Sequence, residues 1–231
     1  MKSILEKLPK VLQGILVIAL FYCSIYFQYI PFLLTHTKIT DYTGNMRVAV
    51  LISTFADVLL LIILLFVYRK ELFKDFDIFW KNKKENVSTA FHFWAFGFAL
   101  MIAFNVLINT FFHTDGANNE NLVRTMLHAY PFIMGIDACI LAPLTEEIVF
   151  RKTIKDIFSN RYLFIIVSTL LFGLAHVAYS ATTLVDWLYL LPYCSLAACF
   201  AYAYHKTDTI CTSIVMHFFH NTLAILTVFL V

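Results

Sequence analysis

The run VAVLISTFADVLLLIILLFVY, Val48 to Tyr68, decides the fold class: 21 residues in succession carry a single charged side chain, Asp57. About 20 mostly apolar residues, rising ~1.5 Å each, cross the ~30 Å hydrocarbon core of a bilayer. The composition around it agrees, with 61% apolar, 17% aromatic and 14% charged residues, against about half apolar and a quarter charged in an average soluble domain. Six further runs repeat the pattern: Val11 to Leu34, Ala90 to Phe112, Ala129 to Phe150, Tyr162 to Val177, Trp187 to Tyr204 and Ile210 to Val231. The expected fold is therefore all-α, a polytopic membrane bundle of about seven transmembrane helices, with room for an eighth. Pro31, Pro143 and Pro192 are expected to kink their helices, because each removes one backbone donor. No repeat, low-complexity stretch or Gly/Pro linker divides the chain, so 1–231 reads as one domain.

The net charge of +2 says little, but the placement of Lys and Arg says more. With the N-terminus inside, one face collects Lys2, Lys7 and Lys10, the group Arg69 to Lys84, then Arg151, Lys152, Lys155, Arg161 and Lys206. Only Lys38, Arg47 and Arg124 fall on the other face. The positive-inside rule then makes the N-terminus cytoplasmic and, with seven spans, the C-terminus external. The polar segment Arg69 to Ser88 reads as a cytoplasmic loop. The first run is too long for a signal-peptide core and is expected to stay as a helix. Cys23, Cys139, Cys194, Cys199 and Cys211 all lie in apolar runs without metal-ligand spacing, as packing residues do.

An ionisable side chain at mid-bilayer costs several kcal/mol unless it is paired or faces a cavity, so each one is a functional candidate. The candidates are Asp57, Asp137, Glu146, Glu147, Arg151, His176, His217 and His220. In APLTEEIVFRK, Ala142 to Lys152, Glu147 and Arg151 are helical neighbours in the favourable acid-before-base order and read as a structural ion pair. Glu146 points about 100° away and has no partner on its own helix. Such a carboxylate in a low-dielectric site holds its proton more tightly, as a general base near neutral pH must. Two later runs carry matching groups: FGLAH sets Phe172 and His176 four apart, and HFFHN sets His217 and Asn221 four apart. A lone membrane histidine more often only hydrogen-bonds helix to helix. Counted at ~1.5 Å per residue from Asp156, Arg161 and Asp208, however, Glu146 lies roughly 15 Å deep, His176 roughly 22 Å, His217 roughly 14 Å and Asn221 roughly 20 Å, so all four can meet within the apolar layer.

In this order Glu146-Glu147-x-x-x-Arg151, Phe172-x-x-x-His176 and His217-x-x-x-Asn221 resemble the CAAX protease and bacteriocin-processing (CPBP, or Abi) family of intramembrane endopeptidases. The resemblance covers a catalytic-type core of about 129–231, and the first three runs carry no such signal. Lys152, where many members have glycine, and the extra His220 depart from the pattern. The resemblance implies peptide-bond hydrolysis within the membrane. Glu146 assisted by His176 would activate a water, His217 and Asn221 would hold the oxyanion, and Glu147, Arg151 and Phe172 would support the site. Eukaryotic members clip prenylated CAAX proteins, whereas many bacterial members are tied to bacteriocin loci; the short chain looks like the bacterial kind, in a bacterial cell membrane. The expected partners are the lipid bilayer and a membrane-associated peptide or protein, with no nucleic acid.

The family is often labelled metalloprotease, and two histidines with a carboxylate are a catalytic zinc set. If Glu146 were a ligand, though, only Glu147 would remain as base. No cofactor is therefore expected, and zinc held by Glu146, His176 and His217 is the alternative. Two non-enzymatic readings stand beside the protease: an immunity factor that acts by binding alone, and a small transporter relaying protons through Glu146 and His176. A transporter should carry internal repeats with broken helices, and the sequence has none.

Overall fold

The computed structural model describes residues 9–230. Lys2, Lys7 and Val231 lie outside the described residues, within which every regular element is helical. Among the described residues eight helices follow one another, and the seven apolar runs map onto seven of them apart from Ala129, Tyr130 and Val231. Helix α1 is Lys10–Thr35, α2 Met46–Lys81 and α3 Lys83–Phe112. Helix α4 is the amphipathic Asn118–Ala129, and α5 occupies 131–157. Helices α6 (Arg161–Val177), α7 (Asp186–Thr207) and α8 (Ile210–Leu230) complete the chain. By length and composition five of these, α1, α2, α3, α7 and α8, suffice to cross a membrane. The outward faces match that role, with Ile62, Phe66, Phe91, Phe96 and Phe111 among many exposed apolar side chains. The chain is an all-α membrane bundle.

The polar segment Arg69 to Ser88 is not a loop. Helix α2 runs 36 residues to Lys81, the chain turns over at Asn82, and α3 starts at once. At ~1.5 Å per residue α2 is about 54 Å long, well beyond the hydrocarbon thickness. The segment holds no Gly or Pro to stop a helix, and its end is docked rather than free. Asp75 accepts from the Ile210 backbone N–H at 3.1 Å, and its own carbonyl accepts from Thr209 Oγ1 at 2.7 Å. The α2 extension thus caps the start of α8, placing an acid where the helix dipole favours one.

The prolines act in three different ways. Pro31 opens the last segment of α1 after a 3-10 stretch, Ser24–Tyr29, that breaks the helix. Pro143 follows a π turn, Asp137–Leu141, in α5. Pro192 sits in the first α turn of Leu190–Thr207, directly after the 3-10 stretch Asp186–Tyr189 that opens α7.

Helix α7 lies along both α3 and α6. Close approach is set by glycines facing cysteines: a Cβ on Gly97 would stand 3.0 Å from Cys199 Sγ, and one on Gly173 only 2.6 Å from Cys194 Sγ. Both cysteines are free, as are the other three, and these two do pack. Small residues at such crossings let helices gain contact where lipid offers no hydrophobic drive. The largest core cluster joins Leu60 and Leu64 of α2, Ile148 to Phe150 of α5, Phe164 and Phe172 of α6, Ala201 of α7 and Ile210 of α8. Ion pairs gather at one end, where Lys10 meets Glu71 at 3.0 Å and Asp156 at 3.4 Å, and Lys155 meets Asp208 at 2.7 Å.

Candidate active site

Helix α5 is built to present two adjacent acids in different directions. Its helical hydrogen bonding widens to π turns at Asp137–Leu141 and again at Ile148–Thr153, on either side of Ala142–Glu147. Turns of this kind are rare and concentrate at functional sites. Glu147 points into the protein and is fully buried, as is Arg151, whose Nε lies 3.3 Å from Glu147 Oε2. Among the described residues the guanidinium makes no hydrogen bond of good geometry. It lies instead 4.2 Å over the Phe172 ring and 5.7 Å from that of Phe200. The structural pair expected of Glu147 and Arg151 is present and is wrapped in aromatic faces, which suits a guanidinium better than an ammonium.

Glu147 has a second task. Its Oε1 accepts from His217 Nδ1 at 2.9 Å, across from α8. His176 Nδ1 donates to the Phe172 carbonyl one turn back, also at 2.9 Å. Both imidazoles therefore carry their Nδ1 proton in a fixed bond and turn Nε2 the other way. Each Nε2 lies 3.7 Å from the same atom, Glu146 Oε2. That separation is too long for a direct hydrogen bond. Glu146 and His176 each keep 18% of their side chains accessible, whereas His217 keeps 5%.

Glu146, His176 and His217 line a cavity of about 570 Å³, within the usual size range of ligand sites. Asn221 lines it too, with its Nδ2 donating to the Ala138 carbonyl at 2.7 Å. The acceptor belongs to the first π turn of α5, so Asn221 also ties α8 to the helix that bears Glu146. Phe172 stacks on His176 at 4.3 Å and touches His217 at 5.8 Å, while Arg151 lies over the same ring at 4.2 Å. All seven residues singled out by the sequence are thus brought together. Of the two departures, Lys152 pairs with Asp156 at 3.1 Å, away from the site, and His220 lines the cavity.

The structure adds residues that spacing did not point to. Tyr193 packs 4.8 Å from His176, and Phe200 packs 5.4 Å from His217. Both come from α7, whose sequence carries no charge in this region. In a chain with 24 Phe and 12 Tyr, nothing marks these two in advance. The donor atoms of Glu146, His176 and His217 converge. Even so, no group of three or more His, Cys, Asp or Glu among the described residues has metal-holding geometry.

An all-α membrane bundle that gathers a carboxylate, two imidazoles and an amide from three helices around one cavity is a class of protein in its own right. Comparison with known families agrees with the motifs: residues 128–223 match the family described as "Type II CAAX prenyl endopeptidase Rce1-like". The resemblance is thereby shown over that stretch, which runs from the end of α4 into α8. The UPF0177 protein YaiH of Lactococcus lactis subsp. lactis is 29% identical over 115 residues, 50% of this chain and 46% of that protein. UPF0177 protein YajF of the same organism is 30% identical over 115 residues, covering 48% of this chain and 52% of the relative. A Bacillus subtilis protein named "Putative membrane peptidase YdiL" is 28% identical over 113 residues, 48% of this chain and 43% of its own length. The chain spans about half the length of the curated relatives it matches. No solved structure matches it.

Proposed function

We propose that this protein hydrolyses a peptide bond of a membrane-associated peptide or protein, with Glu146 as general base. The observation that carries the reading is the convergence of both Nε2 atoms on Glu146 Oε2 at 3.7 Å, inside the cavity. A water lodged against these three atoms would lie within hydrogen-bond reach of each and could pass its proton to Glu146 as it attacks a carbonyl. His176, fixed by the Phe172 carbonyl, orients that water. His217, held by Glu147 through Nδ1–H, would donate from Nε2 as the doubly protonated imidazolium facing the two carboxylates, and the second amide N–H of Asn221 would face the developing oxyanion beside it; one such donor contributes about 3 to 4 kcal/mol in well-studied hydrolases. Glu147 and Arg151 position the site without touching substrate.

Zinc would be held by Glu146, His176 and His217 and would supply Lewis-acid activation of a water. The donor set suits it, but the neighbouring Glu147 is committed to Arg151 and His217, so a zinc-bound Glu146 would leave no adjacent carboxylate as base. The reading adopted is metal-free. The bacterial relatives support a bacterial substrate, such as a membrane-active peptide of the bacteriocin kind, over a prenylated protein. The Lys and Arg distribution supports a cytoplasmic N-terminus and an external C-terminus.

The test is purified protein in detergent, incubated with membrane peptides and followed by mass spectrometry of the products. Wild type is expected to cleave, and Glu146→Gln to be made at normal abundance yet to be inactive. Full activity of Glu146→Gln would end the proposal. Cleavage should survive exhaustive chelation; loss on chelation with return on added zinc would make the same three side chains metal ligands.

A further inference from the structure

The cavity holds a second polar feature that hydrolysis does not use. Its acids are Asp57, Glu120, Asp137 and Glu146, and among the described residues neither lysine nor arginine lines it. Arg151 does not line it: its guanidinium lies over the Phe172 ring at 4.2 Å and pairs with Glu147. Asp137 is 4% exposed. Its Oδ2 accepts from Thr54 Oγ1 of α2 at 3.1 Å, while its buried Oδ1 has no partner among the described residues. Thr54 and Asp57 are three apart on α2 and share a helix face, so the face that bonds Asp137 also carries Asp57. Asp57 lines the cavity as well, together with Asp137 and Glu146. Two carboxylates thus line one apolar chamber, one of them with a bare acceptor oxygen, and no lysine or arginine among the described residues lines it with them.

Buried carboxylates need a countercharge or hydrogen-bond donors, and a cavity built to take a peptide can receive them from the peptide. We propose that Asp57 and Asp137 form a subsite for a basic side chain, Lys or Arg, of the substrate. The aliphatic stem of that side chain would lie along the apolar lining offered by Met101, Leu196 and Leu223. The inference rests on the peptide-hydrolase reading and narrows it. The preferred substrate is an apolar, membrane-associated segment with one cationic residue near the scissile bond, and the pair sets specificity without entering the bond-breaking step.

Binding tests this separately from cleavage. A set of fluorescent apolar peptides, each carrying lysine at a different position, is compared with the same set carrying Nε-acetyl-lysine. Affinity is measured by anisotropy on the full chain in detergent, in the Glu146→Gln background. At one position or more the lysine peptide should bind at least about tenfold more tightly. Adding Asp57→Asn or Asp137→Asn should erase that preference while the acetylated peptide stays within about twofold. Equal binding of lysine and acetyl-lysine throughout, or a preference untouched by both variants, would overturn the subsite. The lysine comparison needs no Asp variant, so a poorly folded Asp137→Asn does not blunt it. If the preference holds but wild type cleaves no member of the set, the subsite stands and the hydrolase reading falls. Cleavage without preference means the reverse, and no binding of any peptide counts against both.

Discussion

Glu146 and Glu147 are neighbours in the chain and differ in everything that matters chemically. Glu147 is closed in by Arg151 and His217, while Glu146 keeps an oxygen toward the cavity. Arg151→Ala should therefore act on stability first, because it strands a fully buried carboxylate, at a cost of about 3 to 5 kcal/mol for a buried pair. The expected outcome is a lower unfolding midpoint in detergent and reduced abundance in membranes. Arg151→Lys should fall between, since it restores the charge but not the planar contact with Phe172. A wild-type midpoint for the alanine variant would mean the pair holds nothing together. The i, i+4 spacing made this pair legible in the sequence. The hold of Glu147 on His217 was not, because it links positions 70 residues apart whose separation in space no local pattern encodes.

Helices come together here through local fit. Gly173 lies three residues before His176, and its missing Cβ is what lets α6 close on Cys194 of α7. Gly173→Ala should lower stability by roughly 1 to 3 kcal/mol, the usual cost of overpacking. It should also lower activity, because displacement of α6 carries His176 away from Glu146. Adding Cys194→Ala removes the clashing sulfur and should recover most of both losses, as read from unfolding midpoint and turnover. No recovery would place the role of Gly173 outside this crossing. A second element-scale expectation concerns Asp75→Ala, which uncaps α8 and should cost about 1 kcal/mol. Faster hydrogen exchange confined to the start of α8 would show it. The helices themselves were readable from apolar run length. The helical continuation through Arg69 to Ser88 is not legible in the sequence because polarity there resembles a loop, whereas a helix needs only residues that do not break it and something to dock against.

At the scale of the whole molecule one end carries a cluster of ion pairs among Lys10, Glu71, Asp156, Lys155 and Asp208. In the orientation proposed from the Lys and Arg distribution, that end is the cytoplasmic one. A cysteine introduced at Asn82, in the exposed turn between α2 and α3, should resist a membrane-impermeant thiol reagent applied to intact cells. One introduced at Asp115, in the exposed turn after α3, should react. The opposite pattern would invert the orientation and put the cavity's acids nearer the other face.

Sequence by itself determined the membrane class, the all-α fold and the Glu147 and Arg151 pair, and it pointed to Glu146, Phe172, His176, His217 and Asn221, which line the cavity. Each of these rests on a period or a length that the chain states locally: about 20 apolar residues for a span, and three or four for one helix face. Only the tertiary structure decided which nitrogen of each histidine faces Glu146, that Asn221 is tied to the Ala138 carbonyl, that Phe172 and Phe200 enclose Arg151, and that Asp57 and Asp137 share the chamber. Those relations depend on how far each helix is rotated and how closely it approaches its neighbours. Rotation and approach follow from packing among many side chains at once, including glycines set against cysteines, and no single stretch of sequence carries that information.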